Sequence, residues 1–136
     1  MNYLIQFLAV SLFVFVADFV WLGVVMKGFY QQELGPIMRN NEQGFAPRIV
    51  PAVIVYVLIP LGIMLFVGPK APDKSLVTAA IWGGLFGLIV YGIYDLSNLA
   101  VLDKWTLRVT IADILWGTSL CSATAVCLKL VEKVTN

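Results

Sequence analysis

The sequence predicts an all-α membrane protein: a four-transmembrane-helix bundle with a longer interfacial loop between helices 1 and 2. Three observations predict it. The 136 residues are 60% hydrophobic and only 12% charged, with a mean hydropathy of +0.91, whereas a soluble domain carries about 25% charged residues. The apolar residues gather into four segments, each near the roughly 20 residues that a helix needs to cross a hydrocarbon core. The connections leave no room for a second folding unit, so residues 1–136 are expected to form a single membrane domain.

The first segment, Tyr3–Met26, lies where a signal peptide would. It has no basic stretch before it and no small-residue cleavage site, and it contains Asp18. It is read as a retained helix. Lys27–Arg48 follows, mixing Phe29, Tyr30, Leu34, Ile37 and Met38 with Glu33, Arg39 and Glu42. Its part Phe29–Leu34 is expected to lie in the headgroup region as a short amphipathic helix that Gly35-Pro36 ends, a plain solvated loop being the competing reading. The second segment, Ile49–Val67, tolerates Pro51 in its first turn and should kink at Pro60. The third, Leu76–Ala100, carries Gly83 and Gly87 at the spacing that lets another backbone approach closely, within the chain or in a homodimer. The fourth is Leu107–Leu130. Gly68–Ser75 and Val101–Thr106 are short and so join antiparallel neighbours.

Composition excludes several chemistries. There is no histidine and the formal net charge is +1, which removes imidazole bases and histidine-bound metal or haem and gives no reason to expect nucleic acid. Cys121 and Cys127, six residues apart on one helix, face away from each other and read as packing residues. No metal motif, nucleophile pattern or phosphate loop is found, so neither a metal nor a cofactor is expected.

Three carboxylates break the apolar pattern: Asp18, Asp95 and Asp113. An ionisable group at a helix centre in a bilayer costs roughly 2.5–3.5 kcal/mol even on mild scales, so such groups mark functional sites by default. Strict alternation of the four spans places all three in the same half of the bilayer, called side B, opposite the N-terminal side A. Each lies about 5–8 residues from its helix end, or roughly 8–12 Å deep. Around them the candidate ligand-, proton- or cation-binding residues are Trp21, Tyr91, Tyr94, Asn98 and Trp116. Val16-Ala17-Asp18-Phe19-Val20-Trp21 and Ile111-Ala112-Asp113-Ile114-Leu115-Trp116 share one pattern, with Asp and Trp on the same helix face. The indole N–H of each is suited to donate to a carboxylate on a neighbouring helix, or its ring to wall a pocket. Arg108, about one turn from Asp113, is a candidate anion or headgroup contact, with snorkelling to lipid the blander reading. Basic residues divide almost evenly, with Lys70, Lys74, Lys129 and Lys133 on side A and Lys27, Arg39, Arg48, Lys104 and Arg108 on side B. Orientation is therefore left open.

The segments Phe29-Tyr30-Gln31-Gln32-Glu33-Leu34-Gly35, Tyr94-Asp95-Leu96-Ser97-Asn98-Leu99-Ala100 and Asp113-Ile114-Leu115-Trp116-Gly117-Thr118 carry a resemblance. With the Asp18–Trp21 pair, the chain resembles a bacterial family of small membrane proteins called domain of unknown function 2177. The resemblance implies four spans and supplies no reaction.

Three functions follow as expectations. One is proton- or cation-coupled transport or binding of a small apolar or cationic ligand, with a homodimer in the bacterial inner membrane as the form expected. The second is a membrane-embedded enzyme acting on a lipid, with Asp95 and Asp113 as acid and base. The third is an accessory subunit whose acids pair with a partner's basic groups.

Overall fold

The computed structural model describes residues 2–135. Four long apolar helical runs cover Tyr3–Val25, Ile49–Lys70, Leu76–Val101 and Leu107–Thr135, each long and apolar enough to span a bilayer. The fold is all-α, as the four apolar segments require. The last run continues to Thr135, beyond the expected Leu130, and its final turns are held by Glu132, which accepts from Lys129, and Thr135, which accepts from Gln6. Large apolar side chains such as Leu4, Leu12, Val50, Val77 and Ile111 are exposed on the outer faces, the surface that hydrocarbon would cover.

Within these runs the backbone is not uniform. The first comprises α1 (Tyr3–Val20) and a π-helical segment, Trp21–Val25. Helix α2 (Lys27–Leu34) follows, and then a two-residue hairpin pairs Asn40–Asn41 with Gly44–Phe45. Gly44 takes a φ of 110°, a region open to glycine at little cost. The connection is thus not a plain loop: it carries a short helix over the expected Phe29–Leu34 that ends at Gly35. Helix α3 (Ile49–Gly62) contains Pro60 and passes into a second π-helical segment, Ile63–Val67. A prolyl residue lacks the N–H that would close the preceding turn, and the helix resumes with wider spacing three residues later. Helices α4 (Leu76–Val101) and α5 (Leu107–Thr135) complete the chain. Ser75 and Thr106 start them: each hydroxyl accepts from a backbone N–H three residues on, at 3.2 Å.

The two halves of the molecule differ. In the half nearest the N-terminus of α1, Val10, Ile63, Val67, Ala79, Ala125 and Leu128 form an apolar core. Lys129, 3% exposed, donates to the Gly68 carbonyl at 2.7 Å and pairs with Glu132 at 2.9 Å. Those partners keep a buried ammonium satisfied. The opposite half contains Asp18, Asp95 and Asp113.

Helices α4 and α5 make the closest contact. A Cβ on Gly83 would meet the Cys121 carbonyl oxygen at 2.5 Å and Ala125 Cβ at 2.7 Å, and one on Gly87 would strike the Gly117 carbonyl. The glycine pair therefore serves packing within the chain. Gly84, one residue from Gly83, has no neighbour nearer than 3.8 Å to an added Cβ. Overpacking of this kind costs about 1–3 kcal/mol or more. Gly87→Leu is expected to lower the thermal unfolding midpoint of the purified protein sharply, while Gly84→Ala, which has room for its Cβ in a helix interior, leaves it unchanged or raises it slightly.

Candidate functional site

The π-helical turn after α1 and the antiparallel pairing of α4 with α5 set the site. At the π segment the Trp21 N–H reaches both the Ala17 and Asp18 carbonyls, and such insertions are frequent at functional sites. Along α4, Gly83, Gly87, Tyr91 and Asp95 recur every fourth residue on one stripe. Against α5 that stripe meets Cys121 and Ala125, then Gly117, where the Tyr91 ring covers the glycine so closely that a Cβ would overlap it. One turn further, Asp95 comes within carboxyl–carboxyl hydrogen-bonding reach of Asp113. Asp95 is fully buried, and neither of its oxygens receives an N–H or O–H from another group among the described residues.

The matching Asp-x-x-Trp patterns on α1 and α5 pair crosswise. Trp116 Nε1 donates to Asp18 Oδ1 at 2.9 Å. Trp21 Nε1 donates to the Tyr30 hydroxyl at 3.2 Å, and Tyr30 donates to Asp113 Oδ1 at 2.8 Å. The two indoles stack, with centroids 4.5 Å apart and planes 1° from parallel. Each tryptophan thus serves the aspartate of the other pattern, one directly and one through Tyr30. Asp18 also accepts from the Tyr56 hydroxyl at 2.6 Å. Asp18 and Asp113 lie within electrostatic reach of each other, and Tyr91 within reach of both. The three carboxyl groups occupy one half of the molecule and belong to one network.

Tyr94 and Asn98 lie at the edge of the network, Tyr94 within electrostatic reach of Asp113 and Asp95. Tyr94 is 57% exposed, lies within reach of the Asn98 side chain and meets Trp105 edge-on at 5.9 Å. Arg108 pairs with Glu33 at 2.9 Å and lies over the Phe29 ring at 5.7 Å. Glu33 also accepts from Thr106 at 2.8 Å. Helix α2 is therefore docked on the start of α5 through Tyr30 and Glu33. Burial pushes the Tyr30 phenol above its ordinary range, and the nearby Asp113 and Asp95 charges add to this. The group remains a donor at neutral pH.

Sequence reasoning did not single out Tyr30 and Tyr56 as site residues. Tyr56 is the lone hydroxyl in the apolar run of α3, and that isolation was its available signal. Tyr30 sits in a connection whose docking no local pattern shows.

A cavity of about 630 Å³ opens between the end of α1, α2 and the start of α3. Asp18, Tyr30 and Tyr56 supply its polar wall, Lys27 is the one basic residue lining it, and Phe19, Leu22, Leu34 and Phe45 are among its apolar walls. Its size falls within the roughly 300–1,000 Å³ of small-molecule sites. Asp95 and Asp113 do not line it. Among the described residues no three acids or cysteines gather as a metal site.

A family model described as "Predicted membrane protein (DUF2177)" matches residues 3–129. No curated protein and no solved structure matches the chain.

A hydrogen bond to a charged group contributes about 1.5–3 kcal/mol. Tyr56→Phe is therefore expected to destabilise the protein by that order in thermal unfolding. Tyr30→Phe is expected instead to speed amide exchange within residues 27–34 while leaving exchange in α4 and α5 unchanged.

Proposed function

The chain belongs to the family of membrane proteins designated domain of unknown function 2177, and from that premise we propose that it binds and moves a small apolar or cationic ligand in linkage with a proton. The bacterial cytoplasmic membrane is the setting proposed. One observation carries the reading: the cavity carboxylate Asp18 and the buried pair Asp95–Asp113 belong to one network, joined through the Trp116–Trp21 stack and Tyr30.

The chemistry follows from charge. Two carboxyl groups in contact in an apolar interior cannot both ionise at modest cost, and one proton shared between them resolves the conflict. With Asp95 holding that proton, its O–H donates to Asp113, and Tyr30 supplies Asp113 with a second donor. Asp18 then feels the charge on Asp113 across the network. A ligand that changes the charge at Asp18 alters the affinity of the pair for its proton, and by linkage the proton alters the affinity for the ligand to the same extent. Such reciprocity is what a proton-coupled binder or transporter requires.

The lipid-enzyme reading assigned Arg108 to a phosphate beside Asp95 and Asp113. The ion pair with Glu33 and the full burial of Asp95 favour the ligand site over that arrangement.

The test follows the fluorescence of Trp21 and Trp116 in a Trp82→Phe, Trp105→Phe background across pH, in protein reconstituted in nanodiscs. A reversible transition is expected that Asp95→Asn removes and Asp18→Asn changes in amplitude. A flat profile, with both variants folded, would sink the proposal.

A further inference from the structure

We infer that the occupant of the cavity beneath α2 is an amphipathic organic monocation, with its charged head on Asp18 and its apolar body against Phe19, Leu22, Leu34 and Phe45. This rests on the ligand-site reading above and adds the class of ligand.

Asp18 carries the argument. A carboxylate offers about four lone-pair positions, and Tyr56 and Trp116 engage one on each oxygen. Both donors are neutral. The ion pairs among the described residues join Arg108 to Glu33 and Lys129 to Glu132, so no lysine or arginine there neutralises Asp18. A partly desolvated carboxylate that lines a cavity with no lysine or arginine in ion-pair contact, Lys27 elsewhere on the wall included, calls for a cation from outside.

The rest of the cavity selects the kind of cation. Calcium takes six to eight oxygen ligands and magnesium a near-octahedral set, whereas Asp18 is the one carboxylate lining the space. A bare monovalent ion would leave most of about 630 Å³ with apolar walls unfilled. An ammonium attached to a hydrocarbon body satisfies the carboxylate and fills the remainder, and Tyr30 and Tyr56 add aromatic surface near the charge. An amphipathic anion fits poorly. Its head would go to Lys27, nine residues further along the chain, and its tail would lie against the Asp18 carboxylate.

The probes are octylammonium, octanol and octanoate, which share a chain length and differ in charge. Binding is measured by calorimetry on protein in nanodiscs, with partition into empty nanodiscs subtracted. Octylammonium is expected to bind saturably and about ten-fold more tightly than octanol, the scale of one charge-assisted contact. Asp18→Asn should reduce it to the level of octanol, and Lys27→Gln, which removes a like charge from the cavity wall, should not weaken it. Leu22→Trp, which fills the cavity and leaves the carboxylate in the sequence, should weaken octylammonium and so provides the test where Asp18→Asn does not fold. Preference for octanoate that Lys27→Gln abolishes, equal binding of all three heads, or octylammonium binding that ignores Leu22→Trp would each overturn the assignment. A pH-dependent tryptophan signal that Asp95→Asn removes would, in those cases, leave the proton-linked site standing. Its absence would bring down both.

Discussion

The contact between α4 and α5 holds the rest of the site in place. Gly83 and Gly87 let the α5 backbone approach until another Cβ would collide, and Gly117 does the same for the Tyr91 ring. Packed interiors do not slide continuously, so this contact fixes the register of the two antiparallel helices. Four residues beyond Tyr91 lies Asp95, and four before Gly117 lies Asp113. The same spacing that closes the apolar half therefore brings two carboxyl groups together in the other half. A slip of one turn would leave Asp95 buried with nothing opposite it, which is costly for any polar group.

Around that pair, the crosswise Asp–Trp exchange ties α1 to α5. The helices run antiparallel, and a local pattern repeated on both can then donate in each direction. Trp116 serves Asp18, and Trp21 serves Asp113 through Tyr30. The stack between the indoles joins the two arms. Helix α2 enters as the carrier of Tyr30, held also by Glu33 on Arg108 and Thr106. This segment supplies both a cavity wall and a donor to Asp113.

Much of this was readable without coordinates. The four spans follow from apolar run length, and the placing of Asp18, Asp95 and Asp113 in one half of the molecule follows from alternation together with their positions near the helix ends. The suitability of an indole N–H for a carboxylate on another helix was also legible, because residue chemistry fixes it. What escaped depends on tertiary docking. Tyr56 carries no local mark beyond being a hydroxyl among aliphatic residues, and Tyr30 lies in a segment whose composition suits the headgroup region as well as the protein surface. Arg108 was placed one turn from Asp113 correctly along the helix, yet its partner comes from α2, which no spacing rule on α5 reveals. The glycine pair admitted packing within or between chains, and only the opposing residues of α5 decide which.

The central claim is that Asp95 and Asp113 share one proton. Infrared spectroscopy of the reconstituted protein in deuterated and ordinary water reads this most directly, through the C=O stretch of a protonated carboxyl group. The account predicts such a band at neutral pH in the wild-type protein and in Asp18→Asn, and its loss in Asp95→Asn, whose amide donates to Asp113 where the acid O–H did. A spectrum with every carboxyl group ionised at neutral pH, or a band that survives Asp95→Asn unchanged, would contradict it.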